Sequence, residues 1–200
     1  MRKMGNVRRP RLSALAIAVQ AALGLPAAWA LPQGATVIHG QVGIAQPVPG
    51  QMQVTAGDGA IINWQRFSIG PGELARFIQP TAQSAVLNRV TGGEVSQILG
   101  QLQANGRVFL INPQGIVVGS GARIDTNSFV ASTLDITDAD FLAGRLRTMA
   151  GATAGGIRNE GLITAAPGGK VALIAPDIVN SGIIHAPDGP RRAKYSAIAW

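Results

Sequence analysis

Short apolar runs alternate with turn-forming residues along most of the chain. Six runs rich in β-branched, aromatic and aliphatic residues precede residue 91, and they lie at residues 36–38, 52–55, 60–62, 67–69, 74–78 and 85–90. Gly, Pro, Asn and Asp separate these runs, and Gly alone accounts for 26 of the 200 residues, against an average usage of about 7%. Many short strands with regular turn signals predict an all-β fold.

A repeat near the C-terminus indicates how the strands are arranged. Five residues at alternate positions recur unchanged 21 residues later, namely Ile157, Asn159, Gly161, Ile163 and Ala165 as Ile178, Asn180, Gly182, Ile184 and Ala186. Alternate residues of a strand point to the same face, so the row of five repeated residues is predicted to face inward. A fixed period near 20 residues with strand-like alternation predicts coils of a β-solenoid that stack in parallel.

Residues 108–118 contain two apolar runs, 108–111 and 116–118, on either side of an Asn-Pro-Gln-Gly turn at 112–115. The proline fixes φ near about −65°, the glycine accepts a positive φ, and the asparagine can hydrogen-bond the backbone two residues on. The pattern predicts strand, turn and strand. Its simplest interpretation is an ordinary hairpin.

Residues 93–102 show a different period. Val95, Ile98, Leu99 and Leu102 recur at helical spacing, which predicts a short helix. A short strand with irregular ends is the alternative for this segment.

The N-terminus has the pattern of a secretory signal peptide over residues 1–30. Five of the 17 basic residues precede an apolar stretch at 12–25, which is followed by a cleavage motif formed by Ala28 and Ala30. The mature chain would then begin at Leu31. A membrane span is less favoured because it needs about 20 apolar residues, and no stable membrane insertion is predicted.

The charge of the chain changes once this leader is set aside. The whole chain carries a formal charge of +7, but the part after residue 30 has 12 basic and 10 acidic residues. Because no basic patch remains, nucleic-acid binding is not predicted. The chain has no cysteine, so its stability after export would depend on burial and hydrogen bonding alone.

Three segments carry a resemblance to a known family. NRVTGG at 88–93, SQILGQLQANGRVFLINPQGI at 96–116 and VASTLDI at 130–136 resemble, in order and spacing, the secretion domain of two-partner-secretion exoproteins. These are the large bacterial proteins of the filamentous haemagglutinin and adhesin family. The resemblance extends over residues 31–189. One departure is Gln114, where the family's turn usually has a second Asn.

The resemblance implies a right-handed parallel β-helix with an N-terminal cap and extra-helical β elements. It also implies a secretion domain without enzymatic activity or cofactor, exported to the surface of a Gram-negative bacterium through the periplasm. The implied partner is an outer-membrane β-barrel transporter whose periplasmic domains recognise the unfolded chain. Outside the cell the domain would fold first, and following coils would template on it. Host-cell surfaces or glycans are further possible partners of such exoproteins.

The residues that match the family's motifs are the candidates for transporter recognition: Asn88, Arg89, Val90, Asn112, Pro113, Gln114, Gly115 and Ile116. An alternative interpretation is that the Asn-containing turns only stabilise the fold.

An acidic cluster keeps an enzymatic alternative open. Asp135, Asp138 and Asp140 lie close together in sequence, and paired carboxylates can act as acid and base or bind Ca²⁺. A β-helix polysaccharide lyase or glycan-binding module is therefore the rival function. The favoured interpretation is that Thr137 or Asp138 caps a short helix at 139–146, whose first turn favours acidic residues.

The chain has two histidines. His39 and His185 have no metal-ligand spacing between them and are predicted to lie on the surface.

Continuing the 21-residue period would place Arg192 and Lys194 inside the solenoid, where each charge would cost several kcal/mol unless paired. Residues 190–200 are therefore expected to form a divergent, disordered tail, as in a truncated product.

Overall fold

A computed structural model describes residues 30–149, 151 and 154–188 of the chain. These residues form 19 strands and one short helix, α1. The elements are, in chain order, β1 (Thr36–His39), β2 (Val42–Val48), β3 (Gln51–Ala56), β4 (Ala60–Trp64), β5 (Leu74–Ile78), β6 (Ala85–Val90), β7 (Ser96–Ile98), β8 (Gln101–Ala104), β9 (Arg107–Ile111), β10 (Ile116–Val118), β11 (Arg123–Thr126), β12 (Ser128–Ser132), β13 (Asp135–Ile136), α1 (Asp138–Leu142), β14 (Thr148–Met149), β15 (Ile157–Asn159), β16 (Leu162–Ala165), β17 (Val171–Ile174), β18 (Ile178–Asn180) and β19 (Ile183–His185).

Three stacked sheets form a parallel β-solenoid of about six turns. Sheet A has the order β19-β16-β11-β8-β5-β3-β2, sheet B the order β1-β4-β6-β9-β12-β17, and sheet C the order β18-β15-β10-β7. Each coil passes through the sheets in turn and pairs in parallel with the coils before and after it. The predicted all-β parallel β-helix is confirmed.

The N-terminal end of the solenoid is closed by antiparallel strands. β1 pairs antiparallel with β4, and β2 pairs antiparallel with β3. These two pairs cover the first coil and form the predicted N-terminal cap.

The 21-residue repeat corresponds to one coil. Ile157 stands opposite Ile178, and Asn159 opposite Asn180, across the parallel pair β15 and β18. The inward side chains of the earlier coil are buried, with Ile157 at 2% and Asn159 at 0% exposure. The predicted inward row is therefore confirmed.

Corners between the sheets bring the backbones of successive coils close together. An added Cβ at Gly169 would lie 1.8 Å from the carbonyl oxygen of Asn127, one coil earlier. The corner at Gly100 is also too tight for a side chain, since its Cβ would lie 2.3 Å from the carbonyl oxygen of Gly70. Only glycine fits at such approaches.

Aromatic side chains fill the interior of the first coils. Trp64 and Phe67 contact each other edge-on with ring centroids 5.7 Å apart, and Phe67 stacks on Phe77 at 6.4 Å. All three are 1% exposed. This end of the interior is consequently closed by large side chains.

An excursion between β12 and β15 covers the outer face of sheet B. It contains α1 and the antiparallel pair of β13 and β14. Ile136 and Phe141 from the excursion pack on Ile61, Leu87 and Ile111 of the sheet in a second apolar cluster. This excursion is the extra-helical element that the resemblance implied.

The predicted helix at residues 93–102 is wrong, and the short-strand alternative is right. This segment contains β7 and the start of β8, separated by Gly100 at a corner. Ile98 and Leu102 are both fully buried, but they face the interior from two different sheets. Their four-residue spacing reflects the corner and no helical turn.

The interpretation of residues 108–118 as a hairpin is also wrong. β9 belongs to sheet B and β10 to sheet C, so the two strands pair with neighbouring coils and not with each other.

The apolar run predicted as a strand at 67–69 makes only an isolated bridge, from Ile69 to Ile98. β2 was not predicted, and its residues are almost all exposed.

The short helix begins as predicted and ends early. Thr137 is its N-cap, and its last residue is Leu142. Gly144 then takes a positive φ of 67°, which stops the helix before the predicted end at residue 146.

Residues 1–29 of the predicted leader at 1–30, and the whole predicted tail at 190–200, lie outside the described residues. Among the described residues, no helix has the length and apolar content required to cross a membrane.

Candidate functional site

The first candidate segment, Asn88 to Val90, lies on β6 in the second coil. Asn88 points inward and is fully buried. Its Oδ1 accepts a hydrogen bond of 3.0 Å from Trp64 Nε1, and its Nδ2 donates to the carbonyl oxygen of Phe109 at 3.2 Å. Val90 is 3% exposed. In the folded domain, Asn88 therefore forms hydrogen bonds within the interior, and Val90 packs there.

Arg89 points to the opposite face and fastens the excursion to sheet B. Its Nε donates to Asp135 Oδ1 at 2.9 Å, and its Nη2 donates to Asp138 Oδ1 at 2.9 Å and to the carbonyl oxygen of Ile136 at 2.6 Å. We call this set of contacts the Arg89 clasp. Burial lowers the pKa of Arg89, but the hydrogen bonds and charges of Asp135 and Asp138 outweigh it and raise the pKa.

Asp140, the third acidic residue, lies in the first turn of α1, whose N-cap is Thr137. Thr137 Oγ1 accepts a hydrogen bond from the backbone N–H of Asp140 at 3.0 Å. Asp140 also pairs with Arg145 at 2.7 Å, and the hydrogen bonds from Arg145 and Thr137 lower the pKa of Asp140. The helix-cap interpretation is confirmed. Among the described residues, no group of three or more His, Asp or Glu side chains is arranged to hold a metal ion.

Both histidines are exposed, as predicted. His39 Nδ1 lies 3.0 Å from the carbonyl oxygen of Gly59. His185 is at the end of β19 in the last described coil.

The second candidate segment, 112–116, forms the corner between β9 and β10. Asn112 is fully buried, and its Nδ2 donates to the carbonyl oxygen of Glu94 and to Ser96 Oγ, both at 2.9 Å. Its Oδ1 accepts from the backbone N–H of Gln114 at 2.9 Å, which is the predicted Asx turn. The Asn112 side chain therefore connects two consecutive coils.

The remaining residues of the corner differ in exposure. Gly115 and Ile116 are buried, Pro113 is half-buried, and Gln114 is exposed. Gly115 has a positive φ of 127°, as its place in the turn requires. Gln114 replaces the family's Asn at an exposed position, so this departure leaves the core unchanged.

Strand pairing places the two candidate segments in adjacent coils. β6 pairs with β9 so that Asn88 stands opposite Leu110 and Arg89 opposite Ile111. The end of β9 then leads directly into the Asn112 corner. The sequence could not show that Asp135 and Asp138 are the partners of Arg89, because 46 and 49 residues separate them from it.

We expect Arg89→Met to lower the free energy of unfolding by about 1–2 kcal/mol, because Asp135, Asp138 and the Ile136 carbonyl lose a charged donor. The two carboxylates are nearly half exposed, so water compensates in part. The measurement is urea unfolding followed by circular dichroism.

Arg158→Met is the matched control for the clasp. Arg158 pairs with Glu160 at 3.6 Å, and both side chains are exposed, so its loss should change stability much less. Equal effects of the two substitutions would show that the Arg89 clasp contributes nothing beyond an exposed ion pair.

Known proteins similar to this chain share one kind of domain. A family model described as "TPS secretion domain" matches residues 29–190. The solved structure of the HMW1 secretion domain from Haemophilus influenzae is 41% identical to the chain, covers 76% of it and 41% of that structure's chain, and superposes with a TM-score of 0.74. Two heme/hemopexin-binding proteins of Haemophilus influenzae are each 39% identical over 107 and 106 residues. These matches span 53% and 52% of this chain, but only 12% and 11% of the two relatives.

Proposed function

This chain belongs to the TPS secretion domain family, and we propose that its transporter reads residues 88–90 and 112–116 before the domain folds. TPS secretion domains direct two-partner-secretion exoproteins out of the cell, and an outer-membrane transporter partner recognises them. The family match over residues 29–190 is the observation that carries this function.

The burial of the candidate residues supports recognition of the unfolded chain. Asn88, Asn112 and Ile116 are fully buried in the folded domain, and Val90 nearly so. A transporter surface could not contact them after folding. In an extended chain the same side chains are free, and such a chain can bind by adding a strand to an exposed sheet edge.

We further propose that residues 1–30 are a signal peptide removed after Ala30. Leu31, the first residue after that site, is 4% exposed and packs in the main apolar cluster. The backbone N–H of Gln33 donates to the carbonyl oxygen of Arg66 at 2.9 Å. Residues directly after the proposed cleavage site are thus packed into the domain. N-terminal sequencing of exported protein should return Leu31 as the first residue, and material that begins at Met1 would contradict the cleavage.

Outside the cell, the folded domain would template the coils of the exoprotein that follow it. Ile178 and Ile184 of the last described coil are only partly buried. Among the described residues, no strand pairs with the outer edges of β18 and β19. Parallel coils of this kind gain their stability from nearest neighbours, so this edge supports the addition of another coil.

Co-expression with an outer-membrane transporter of the two-partner-secretion type tests the secretion function, with the culture medium assayed for the domain. Secretion should require the transporter. Recovery of equal amounts in the medium without it would contradict the proposal. Binding of the exoprotein to host surfaces or glycans stays a prediction.

A binding measurement separates recognition from folding. We expect Asn112→Ala to weaken binding of the urea-unfolded chain, after rapid dilution, to the isolated periplasmic domains of the transporter. Asn159→Ala is the matched control, because Asn159 is also a fully buried corner asparagine but lies outside the proposed segments. Equal binding of the two variants would assign Asn112 a structural role only.

A further inference from the structure

Glu73 is a buried carboxylate next to Ala30, the first residue that the structure describes. It is 3% exposed and lies in the turn that precedes β5. Its Oε2 accepts a hydrogen bond of 2.6 Å from the backbone N–H of Gly70, and its Oε1 accepts one of 2.8 Å from the backbone N–H of Ala30. Among the described residues, Glu73 makes no ion pair with a basic side chain.

Removal of the leader changes the partners of this carboxylate. Cleavage after Ala30 takes away the neutral N–H that Oε1 accepts from. A buried charge with an unfilled hydrogen-bonding position is costly. The same cleavage creates an α-ammonium group on Leu31, the next residue of the chain.

Leu31 is packed into the domain next to the position of the lost donor. Its side chain is 4% exposed in the main apolar cluster, and Gln33 is fixed by its backbone pairing with Arg66. Successive Cα atoms are only about 3.8 Å apart, so the new ammonium group lies within one residue of the former Ala30 donor. A positive group would then meet a buried negative group at the base of the first coils.

We infer that Glu73 binds the α-ammonium group of the mature N-terminus and forms an internal ion pair that exists only after the leader is removed. This inference rests on the proposed cleavage near Ala30. A cut one residue earlier would leave the ammonium group on Ala30 itself, at the nitrogen that already lies 2.8 Å from Oε1. Either start gives the buried carboxylate a charged partner.

The pair makes the processed chain more stable than the unprocessed one. Before cleavage, Glu73 accepts only neutral backbone N–H groups. Afterwards, one of these is replaced by a charged donor, and hydrogen bonds between charged groups are roughly twice as strong as neutral ones. The coils next to Glu73 would thus reach their full stability only in exported protein.

A two-by-two comparison tests this inference. One chain starts at Leu31 after release by a site-specific protease, and the other keeps residues 26–30 ahead of Leu31; both run to residue 200. Glu73→Gln is introduced into each, and urea unfolding is measured. We expect the substitution to raise the equilibrium constant of unfolding about tenfold more in the Leu31 chain than in the extended chain. Equal losses would overturn the inference and leave Glu73 as a cap for Gly70.

A control substitution and a crystal structure make the Glu73→Gln comparison decisive. Glu94→Gln is the control, because Glu94 is exposed and pairs with Arg66 at 3.5 Å; it should change both chains equally. If the Glu73→Gln protein with a free Leu31 does not fold, a crystal structure of the unsubstituted Leu31 chain decides. A Leu31 nitrogen within hydrogen-bond distance of a Glu73 oxygen supports the ion pair, and a solvent-facing nitrogen overturns it.

Failure of the cleavage proposal would be visible separately. N-terminal sequencing of exported protein tests where the leader is cut. The two-by-two comparison uses a chain whose first residue is fixed by the protease, so it tests the ion pair whatever the natural cleavage site is.

Discussion

Gly169→Ala is expected to lower the midpoint of thermal unfolding by roughly 6–12 °C, which corresponds to about 3 kcal/mol for a domain of this size. The new Cβ would lie 1.8 Å from the carbonyl oxygen of Asn127 and 2.9 Å from that of Ala166. Both obstacles are backbone atoms, so no side chain can rotate away. The coils must therefore separate at this corner. Calorimetry of the purified domain would measure the shift.

Gly121→Ala is the matched control for this substitution. Gly121 is exposed, and no heavy atom lies within 4 Å of the position of an added Cβ. Its unfolding midpoint should stay close to that of the unsubstituted protein. A Gly169→Ala protein that melts like the Gly121→Ala protein would show that the coils do not approach as closely as described.

Asn112→Ala is expected to lower the free energy of unfolding by about 2–4 kcal/mol. The substitution removes two donors to Glu94 and Ser96 and the acceptor for the Gln114 N–H. Buried groups left without partners cost about 1–3 kcal/mol each, and partial relaxation reduces their sum. Urea unfolding should give a lower midpoint with an unchanged slope, since the denatured state is the same.

Gln114→Ala is the control within the same turn. The Gln114 side chain is exposed, so its loss should hardly affect stability. An Asn112→Ala protein as stable as the Gln114→Ala protein would contradict the structural role of the buried amide. In that case, a secretion defect of Asn112→Ala would have to come from recognition alone.

The sequence predicted the features that a local pattern encodes directly. The alternate identities of residues 157–165 and 178–186 predicted both the parallel stacking and the inward row, because a coil repeats its own inward side chains. Thr137 likewise predicted the start of α1, since an N-cap and the helix it begins are neighbours in sequence.

The failed predictions concern the direction in which the chain turns. Ile98 and Leu102 face one interior from two sheets, and their spacing imitates a helix because Gly100 bends the backbone between them. A strand-turn-strand pattern at residues 108–118 also does not reveal whether two strands pair with each other or with other coils. That choice depends on contacts between distant residues.

The burial of the candidate recognition residues was equally hidden. Asn is typical of exposed turns, so Asn88 and Asn112 gave no local sign that they lie in the interior. Their burial depends on Trp64, Glu94 and Ser96, which fill the hydrogen-bonding positions from neighbouring coils. The burial of the Glu73 carboxylate was also not visible in the local sequence, because one of its partners, Ala30, lies far from it along the chain.

The Arg89 clasp has a consequence for the order of folding during export. Each coil pairs with the next one along the chain, so the coils can form one after another along the sequence. The clasp instead joins Arg89 to residues that follow it by 46 to 49 positions, and distant contacts of this kind form slowly. We expect it to close only after the fourth coil is in place. Until then Ile61 and Leu87 face water, and closure of the clasp marks the moment when the emerging chain protects its own outer surface.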